Sequence, residues 1–205
     1  VWMTFPMTVI DTVFKALSQA IPDRSIAGHH ADLVFPNIHG ISPEDGRLFI
    51  VGIGPLGGGW GAKSSEDGVS VTVCINDGDT HNSPTEQLEA KYPVLVEKYE
   101  MRQDSAGAGK YRGGLGAEMV VQALSPFTVT TRIDRVHCKP WGLEGGLSGF
   151  GNGVAIARFG KDEETRFPNG KALNQTLASG DAYVMRSGGG GGFGSPLDRD
   201  TQALE

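Results

Sequence analysis

The densest group of ionisable side chains in the sequence surrounds a short DGDTH motif. Asp77, Asp79 and His81 alternate along it, so in an extended segment their side chains would share one face. Two carboxylates and an imidazole can hold a divalent cation, but the same residue types also form structural turns. Glu86 follows on a short predicted helix, three residues before Glu89, which suits either an acid–base pair or a solvated helix face. The candidate catalytic residues are therefore Asp77, Asp79, His81 and Glu86, with a structural turn as the alternative.

A second candidate site lies in the glycine loop that follows. Lys110 and Arg112 stand among closely spaced glycines, and such a loop offers backbone N–H groups beside two cations. The pattern predicts contact with an anion or a substrate. A salt bridge between Asp104 and Arg112 that pins a hairpin is the alternative. The residues of this candidate site are Arg102, Asp104, Lys110 and Arg112.

A third cluster reads GHHAD. His29 and His30 are adjacent, so in a strand they would point in opposite directions and make poor ligands for one metal. In a loop both could converge with Asp32 on a divalent ion. His29, His30 and Asp32 are therefore candidate metal ligands. The alternative interpretation is a hydrogen-bonded histidine pair at a domain or subunit contact.

Two glycine motifs approach nucleotide-binding sequences without completing them. Residues 52–57 match G-x-G-x-x-G, but the following residues are turn-like and do not open the helix that a dinucleotide site needs. Residues 57–64 approach a phosphate-binding loop, but Ala62 separates Gly61 from Lys63 and breaks the required G-K-[ST] spacing. We therefore expect any ATP to be held by another domain or subunit.

Composition narrows the class of protein. The net charge of −6 disfavours nucleic acid or an anionic membrane as the main partner. No apolar run approaches the ~18 residues of a transmembrane helix, and the first residues lack a signal-peptide pattern. Cys74 and Cys138 are predicted to be isolated buried thiols, which favours a cytoplasmic location. Because residue 1 is Val, we expect a fragment, a split chain or a processed start.

The patterning predicts a β-rich α+β fold with a mostly antiparallel sheet, few short helices and long glycine-rich loops. A helix is expected over 8–21, capped by Thr8, and a second helix begins at Pro84 after a Ser83 cap. An irregular surface excursion is expected over 160–181. The predicted strands are 47–53, 69–75, 94–102, 115–124, 127–138, 153–159 and 182–187.

Glycine is the compositional outlier, with 31 of 205 residues, about twice the usual ~7%. The glycines cluster at 52–61, 107–116, 142–153 and 188–194, which indicates turns, bulges and close backbone approach. We expect several positive φ angles at 113–114 and 188–192. Segment 188–194 is predicted to be an ordered loop, with a flexible linker as the alternative.

Five blocks of the sequence, in order, resemble the hydantoinase B/oxoprolinase family, to which subunits of acetone and acetophenone carboxylases are related. The blocks are FPMTVIDTVFKALSQAIPDRSIAGHHADL, GGGWGAKSSEDGVS, THNSPTEQLEAKYPVLVEKYEMRQDSAGAGKYRGGLG, KPWGLEGG and GGGGGFGSPLDRD. The resemblance implies that residues 1–205 are the C-terminal portion of a larger subunit, with a helical entry segment over 1–46 and a β-rich body over 47–205.

The resemblance also implies a function. The chain would belong to an ATP-dependent cyclic-amide hydrolase of the hydantoinase or 5-oxoprolinase type, acting on a small molecule. ATP and Mg would lie in a hydantoinase A-like partner subunit, and this chain would shape the substrate cavity and the interfaces with that partner and with its own upstream half. The alternatives are a subunit of an acetone- or acetophenone-type carboxylase and a non-catalytic assembly module.

Overall fold

The computed structural model describes residues 5–74 and 80–204, and within these the fold is dominated by β-structure. Two α-helices, α1 (Phe5–Leu17) and α2 (Thr85–Lys91), accompany short 3₁₀ turns at Pro22–Arg24, Pro196–Asp198 and Thr201–Leu204. The strands are β1 (Pro36–Ile41), β2 (Leu48–Gly52), β3 (Val94–Met101), β4 (Ala117–Ala123), β5 (Phe127–Arg132), β6 (Gly153–Ala157), β7 (Glu164–Arg166), β8 (Lys171–Leu177) and β9 (Ala182–Arg186).

The strands form two antiparallel sheets. One has the order β2-β1-β5-β8, and the other has the order β3-β4-β9-β6-β7. The sequence AEMVVQA of β4 shows why these segments become strands, because every second residue is buried and the intervening ones are half-exposed. Buried residues of both sheets, among them Val121, Val129 and Leu177, belong to one hydrophobic core. The predicted α+β class with antiparallel sheets is confirmed.

A third component is a bundle of extended glycine-rich segments that lie outside the named strands. We call it the glycine bundle; it comprises residues 27–30, 57–62, 105–114, 141–151 and 188–194. The last segment lies at its centre. The amides of Gly189 and Gly192, three residues apart, donate to the carbonyls of Phe150 and Leu147 on one neighbouring segment, at 3.1 and 2.9 Å.

Gly190 and Gly191, which lie between these two residues, form hydrogen bonds with other segments of the bundle. The Gly190 amide donates to the Gly114 carbonyl (2.9 Å), and the Gly191 amide donates to the Gly28 carbonyl (2.7 Å). A repeat of three residues per turn, with hydrogen bonds leaving in several directions, is the geometry of a polyproline II helix, as opposed to the two-sided ladder of a sheet. The central segment is therefore an ordered element, as expected, and not a flexible linker.

Close packing of backbones explains why these positions are glycine. A Cβ atom at Gly190 would lie 1.8 Å from the Trp60 carbonyl oxygen, and one at Gly191 would lie 1.9 Å from the Trp141 carbonyl oxygen. The expectation of positive φ was wrong at 113–114 and 188–192. In the described chain the glycines with positive φ lie elsewhere, at 46, 54, 145, 160, 170, 180 and 194. Space, and not left-handed backbone, requires glycine in the bundle.

Helix ends and one cysteine differ from expectation. Helix α1 begins at Phe5 and ends at Leu17, so Thr8 lies inside it and does not cap it. Ser83 makes no capping hydrogen bond to α2. Cys74 is buried as predicted, whereas Cys138 is exposed.

Several strand predictions also differ. In the predicted strand 69–75, of which Ile75 lies outside the described residues, Thr72 makes only an isolated bridge to Gly58. Residues 160–181 contain β7 and β8, and β5 stops at Arg132, six residues before its predicted end. Strand β1 was missed because Pro36 and Gly40 lower its strand propensity. The domain division at residue 46 stays a prediction; β1 lies before it and pairs with β2 and β5 beyond it.

Within residues 5–74 and 80–204, no helix is long and apolar enough to cross a membrane.

Replacing Gly190 by Ala tests the glycine bundle. The new methyl group meets backbone that cannot move independently, so the free energy of unfolding should fall by about 3 kcal/mol or more. The matched control is Gly153→Ala in β6, where an added Cβ meets nothing within 4 Å. There, stability should stay unchanged or rise by up to about 1 kcal/mol. Urea unfolding of both variants gives the comparison, and equal small effects at the two positions would contradict close packing in the bundle.

Candidate functional site

His29 and His30 lie fully buried where α1 and the loop after β5 meet the glycine bundle. The bundle positions them directly: the Gly28 amide donates to the Trp141 carbonyl (2.8 Å), and the His30 amide donates to the Gly59 carbonyl (3.0 Å). Gly58 leaves room for the His30 ring, because a Cβ there would lie 2.3 Å from its Cγ. The histidines therefore occupy fixed positions at the edge of the bundle.

Asp32 and one nitrogen of His29 make structural hydrogen bonds, whereas His29 Nε2 and both ring nitrogens of His30 are buried without a hydrogen-bond partner among the described residues. His29 Nδ1 accepts a hydrogen bond from the Ala31 amide (2.7 Å), and its ring stacks on Trp60. Asp32 accepts hydrogen bonds from the backbone amides of Leu33 (2.7 Å), Val34 (3.2 Å) and Asp134. Its two oxygens thus fasten the loop after β5 to the segment that follows the histidines.

The metal hypothesis for His29, His30 and Asp32 finds no support in this geometry. No group of three or more His, Cys, Asp or Glu side chains within 5–74 and 80–204 is arranged to hold a metal ion. The two histidine rings are 5.8 Å apart and tilted by 47°. The rings contact each other without a hydrogen bond between them, and a role of the pair at a domain or subunit contact stays a prediction.

A buried ion pair that the sequence did not reveal completes the cluster. Arg135 donates through Nη2 to the Asp11 carboxylate on α1 and to the His29 carbonyl (2.8 Å). Its guanidinium lies over the Trp141 ring, 4.4 Å from the centroid, and Arg135 itself has a positive φ of 58°. We call Asp11, His29, His30 and Arg135 the buried polar centre. Pattern reading missed Arg135 because its partner is 124 residues away.

Burial dominates the electrostatics of this centre. It raises the pKa of Asp11 to about 7, against the opposing effect of Arg135. It lowers the pKa values of His29 and His30 to about 3, with Arg135 and, for His29, the neighbouring ring adding to the effect. Both histidines are therefore neutral at pH 7. They suit packing and hydrogen bonding, and not proton transfer at neutral pH.

The second predicted group does not form one anion site. Arg102 donates to the carbonyls of Gly151 (2.9 Å) and Ser187 (3.1 Å), so its guanidinium fastens the bundle to the end of β9. Asp104 is exposed with a φ of 56°. In the described part of the chain, no ion pair joins it to Arg112, so the predicted salt bridge was wrong.

The glycine loop is pinned instead by a different pair. The Arg112 amide donates to Asp67 Oδ1 (2.8 Å), and Asp67 pairs with Arg199 near the end of the chain (2.8 Å). Arg199 also donates to the Lys110 carbonyl (3.1 Å). The side chains of Lys110 and Arg112 remain at the surface, exposed and half-exposed respectively, and substrate contact by them stays a prediction.

Only part of the first predicted group falls within the described residues. Asp77 and Asp79 lie outside the described residues. His81 is exposed just before α2, and Glu86 is exposed on that helix. Glu89 accepts a hydrogen bond from the Val96 amide (2.8 Å), so it fixes the turn into β3 and forms no acid–base pair with Glu86.

A small cleft has a volume of about 30 Å³, the size that holds a water molecule or two. It lies between α2 and the glycine motif after β2, and Asn82 closes one side by donating to the Tyr99 hydroxyl (3.0 Å). At this volume the cleft does not enclose a substrate. The lining residues are Gly52, Ile53, Gly54, Pro55, Leu56, Asn82, Ser83, Thr85, Leu88, Tyr99 and Met119.

Comparison with known proteins gives consistent matches. The family model for hydantoinase B/oxoprolinase matches residues 1–196. An uncharacterised protein of Methanocaldococcus jannaschii is 36% identical over 96% of this chain and 33% of its own length. A subunit of a putative D-/L-hydantoinase of Pseudomonas sp. is 30% identical over 96% of this chain and 32% of its own length. The chain thus spans about a third of these relatives.

Two solved structures share the fold. The crystal structure of the ATP-dependent caprolactamase from Pseudomonas jessenii superposes with a TM-score of 0.80 at 24% identity, over 93% of this chain and 34% of that one. Nucleotide-free acetone carboxylase superposes with a TM-score of 0.75 at 22% identity, over 92% of this chain and 29% of that one.

A substitution of His30 by Gln tests the neutral buried histidine. Because the unfolded chain binds a proton near pH 6.5 and the folded chain does so only near pH 3, His30 lowers stability as the pH falls between these values. The Gln variant does not lose stability in this way as the pH falls. Relative to wild type, its free energy of unfolding should improve by about 2 kcal/mol between pH 7 and pH 5. Urea unfolding at both pH values measures this, and a pH-independent difference would contradict the burial effect.

Proposed function

Because the chain belongs to the hydantoinase B/oxoprolinase family, we propose that it is the C-terminal part of a subunit of an ATP-dependent enzyme that opens a cyclic amide. The observation that carries this proposal is the family match over residues 1–196. The names of similar proteins agree with it, since hydantoin, 5-oxoproline and caprolactam are all cyclic amides. The substrate would be of the hydantoin or 5-oxoproline type, and the enzyme would be cytoplasmic.

The chemistry of this class explains the need for ATP. An amide carbonyl is a poor electrophile. Transfer of the γ-phosphoryl group of ATP to its oxygen releases ADP and activates the carbon; water then adds to that carbon, inorganic phosphate leaves, and the ring C–N bond breaks as the nitrogen takes up a proton. In the proposed arrangement a hydantoinase A-like partner subunit holds ATP and Mg and performs the phosphorylation. This chain forms part of the substrate cavity and of the contacts with that partner and with the upstream half of its own subunit.

Backbone hydrogen bonds support the placement of ATP outside this chain. A phosphate-binding loop must present free N–H groups, yet within residues 58–63 the amides of Gly58, Gly59, Trp60, Ala62 and Lys63 are used within the fold. Gly59 donates to the Gly188 carbonyl (2.9 Å), and Ala62 donates to the Gly191 carbonyl (2.9 Å). At the third glycine of the G-x-G-x-x-G match, a Cβ would lie 2.8 Å from the Val71 backbone, so that surface is covered as well.

The position of the cleft supports a functional role for the segment before α2. The buried Cys74 anchors the chain before this segment. Beyond it, the buried Leu88 and the hydrogen bond from Val96 to Glu89 fix α2. Side chains held from both ends on a rigid scaffold are suited to placing a catalytic or contact group. We propose that Asp77, Asp79, His81 and Glu86 line the completed cavity or its interface.

The second candidate function is a subunit of an acetone- or acetophenone-type carboxylase, in which phosphorylated substrate and bicarbonate are joined. The fold shared with acetone carboxylase favours keeping this alternative. A third candidate is a non-catalytic assembly module. Coupled ATPase assays of the complete complex with a hydantoin, with 5-oxoproline, and with a ketone plus bicarbonate separate the first two. ATP turnover driven by a cyclic amide would support the proposal, and turnover driven only by ketone and bicarbonate would overturn it.

Replacing Asp79 by Asn in the complete complex tests the segment before α2. If the carboxylate acts in the cavity, turnover should fall about 10²-fold or more, because the variant keeps the shape and removes the charge. The matched control is Asp162→Asn at an exposed site, which should leave turnover unchanged. His81→Ala probes the same segment. Full activity of both Asp79→Asn and His81→Ala would remove it from the mechanism.

The isolated chain should neither bind nor hydrolyse ATP, since most amides of its glycine motifs, including those of Gly58, Gly59 and Ala62, already donate to carbonyls of the fold. Isothermal calorimetry with Mg-ATP checks this directly. Binding in the micromolar range would place a nucleotide site on this chain and contradict the proposed division between subunits.

A further inference from the structure

Helix α1 turns an apolar stripe toward solvent. Val9, Val13 and Leu17, each four residues from the next, are 53%, 49% and 46% exposed, and Ile21 just beyond the helix is 41% exposed. Residues four apart lie on one face of a helix, so these side chains form a continuous ridge. An apolar stripe with this spacing normally faces the core, but here it faces solvent.

The charged residues of α1 face the opposite way. Asp11 is fully buried in its ion pair with Arg135. The Lys15 ammonium lies over the Trp141 ring, 4.7 Å from the centroid. A surface helix normally turns its charges to water and its apolar stripe to the core. In α1 the apolar stripe is exposed and Asp11 is buried, while Lys15 remains exposed beside Trp141.

The buried ion pair fixes this orientation. Rolling α1 to bury the stripe would separate Asp11 from Arg135 and leave an unpaired charge within the protein, which is strongly unfavourable. Met7 is buried on the same side as Asp11 and packs in a small core, so both sides of the helix carry an apolar residue. A helix that is apolar on opposite sides belongs between two layers of protein.

We propose that the ridge Val9–Val13–Leu17–Ile21 is covered by a helix of the polypeptide that precedes residue 1 in the full-length subunit. A ridge of residues four apart is the surface that packs into the groove of another helix. This inference rests on the proposed function, which places the chain at the C-terminal end of its subunit. It adds the surface by which the two parts meet.

Two observations favour this occupant. The matched relatives are about three times as long as this chain, so most of each relative's polypeptide is available to cover the ridge. The ridge also lies within the first 21 residues of this chain and is therefore close in sequence to the proposed preceding part. A second copy of the chain fits less well, because four half-exposed side chains offer far less than the ~800 Å² per partner of a stable interface.

The test uses this chain and the preceding part of the full-length subunit, expressed as a second polypeptide with its own tag. Val13→Lys should weaken their association at least about tenfold, since it places a charge in an apolar contact. The melting temperature of the isolated chain should not change, because the position is exposed and Lys favours helix. Val69→Lys is the matched control: the same residue type, 60% exposed, away from α1. It should bind as wild type does.

Each outcome of this experiment decides the inference. Absence of binding between the wild-type polypeptides would overturn it, as would equal binding by Val13→Lys and Val69→Lys. Self-association of the wild-type chain that Val13→Lys abolishes, measured by sedimentation, would show that a second copy covers the ridge. Binding is measured without any turnover assay. A failure of this inference can therefore be distinguished from an error in the proposed substrate class or in the proposed position of ATP.

Discussion

Direct contact between backbones in the glycine bundle is the constraint on which the rest of the structure depends. The central segment 188–194 continues from β9, and residues 113–116 and 146–151 lead into β4 and β6. These are the three central strands of the five-stranded sheet. The bundle therefore extends the middle of that sheet, and the close approach of its backbones leaves no room for a Cβ at glycines such as Gly113, Gly190 and Gly191.

Polar side chains mark the junction between sheet and bundle. The Ser187 hydroxyl donates to the Gly57 carbonyl (2.6 Å) and accepts from the Ala117 amide (2.7 Å). Asn152 accepts from the Gly188 amide (2.6 Å) and donates to the His30 carbonyl (3.1 Å). These contacts connect the bundle to the buried polar centre, which in turn orients α1 through Asp11. One continuous set of hydrogen bonds thus joins the sheet to the helix that carries the exposed ridge.

The sequence was informative where the pattern is local. The alternation of β4, the short apolar run of β9 and the helix opening near Pro84 could be read directly. For the bundle, the sequence predicted only that backbones approach each other closely. Its three-residue period could not be predicted, because that period appears in hydrogen bonds between distant segments. Strand β8 was not predicted because its strand conformation depends on its pairing with β5, which the local sequence pattern does not show. Arg135 and the Asp67–Arg199 pair escaped notice for the same reason, since each joins residues more than a hundred positions apart.

Amide hydrogen exchange of Gly189 to Gly192 tests the central claim most directly. Every one of these amides donates to a carbonyl of a neighbouring segment. The account predicts that they exchange as slowly as the amide of Val184 in β9, by opening of the whole fold. Exchange at the rate of an unstructured glycine linker, with Val184 still protected, would contradict it.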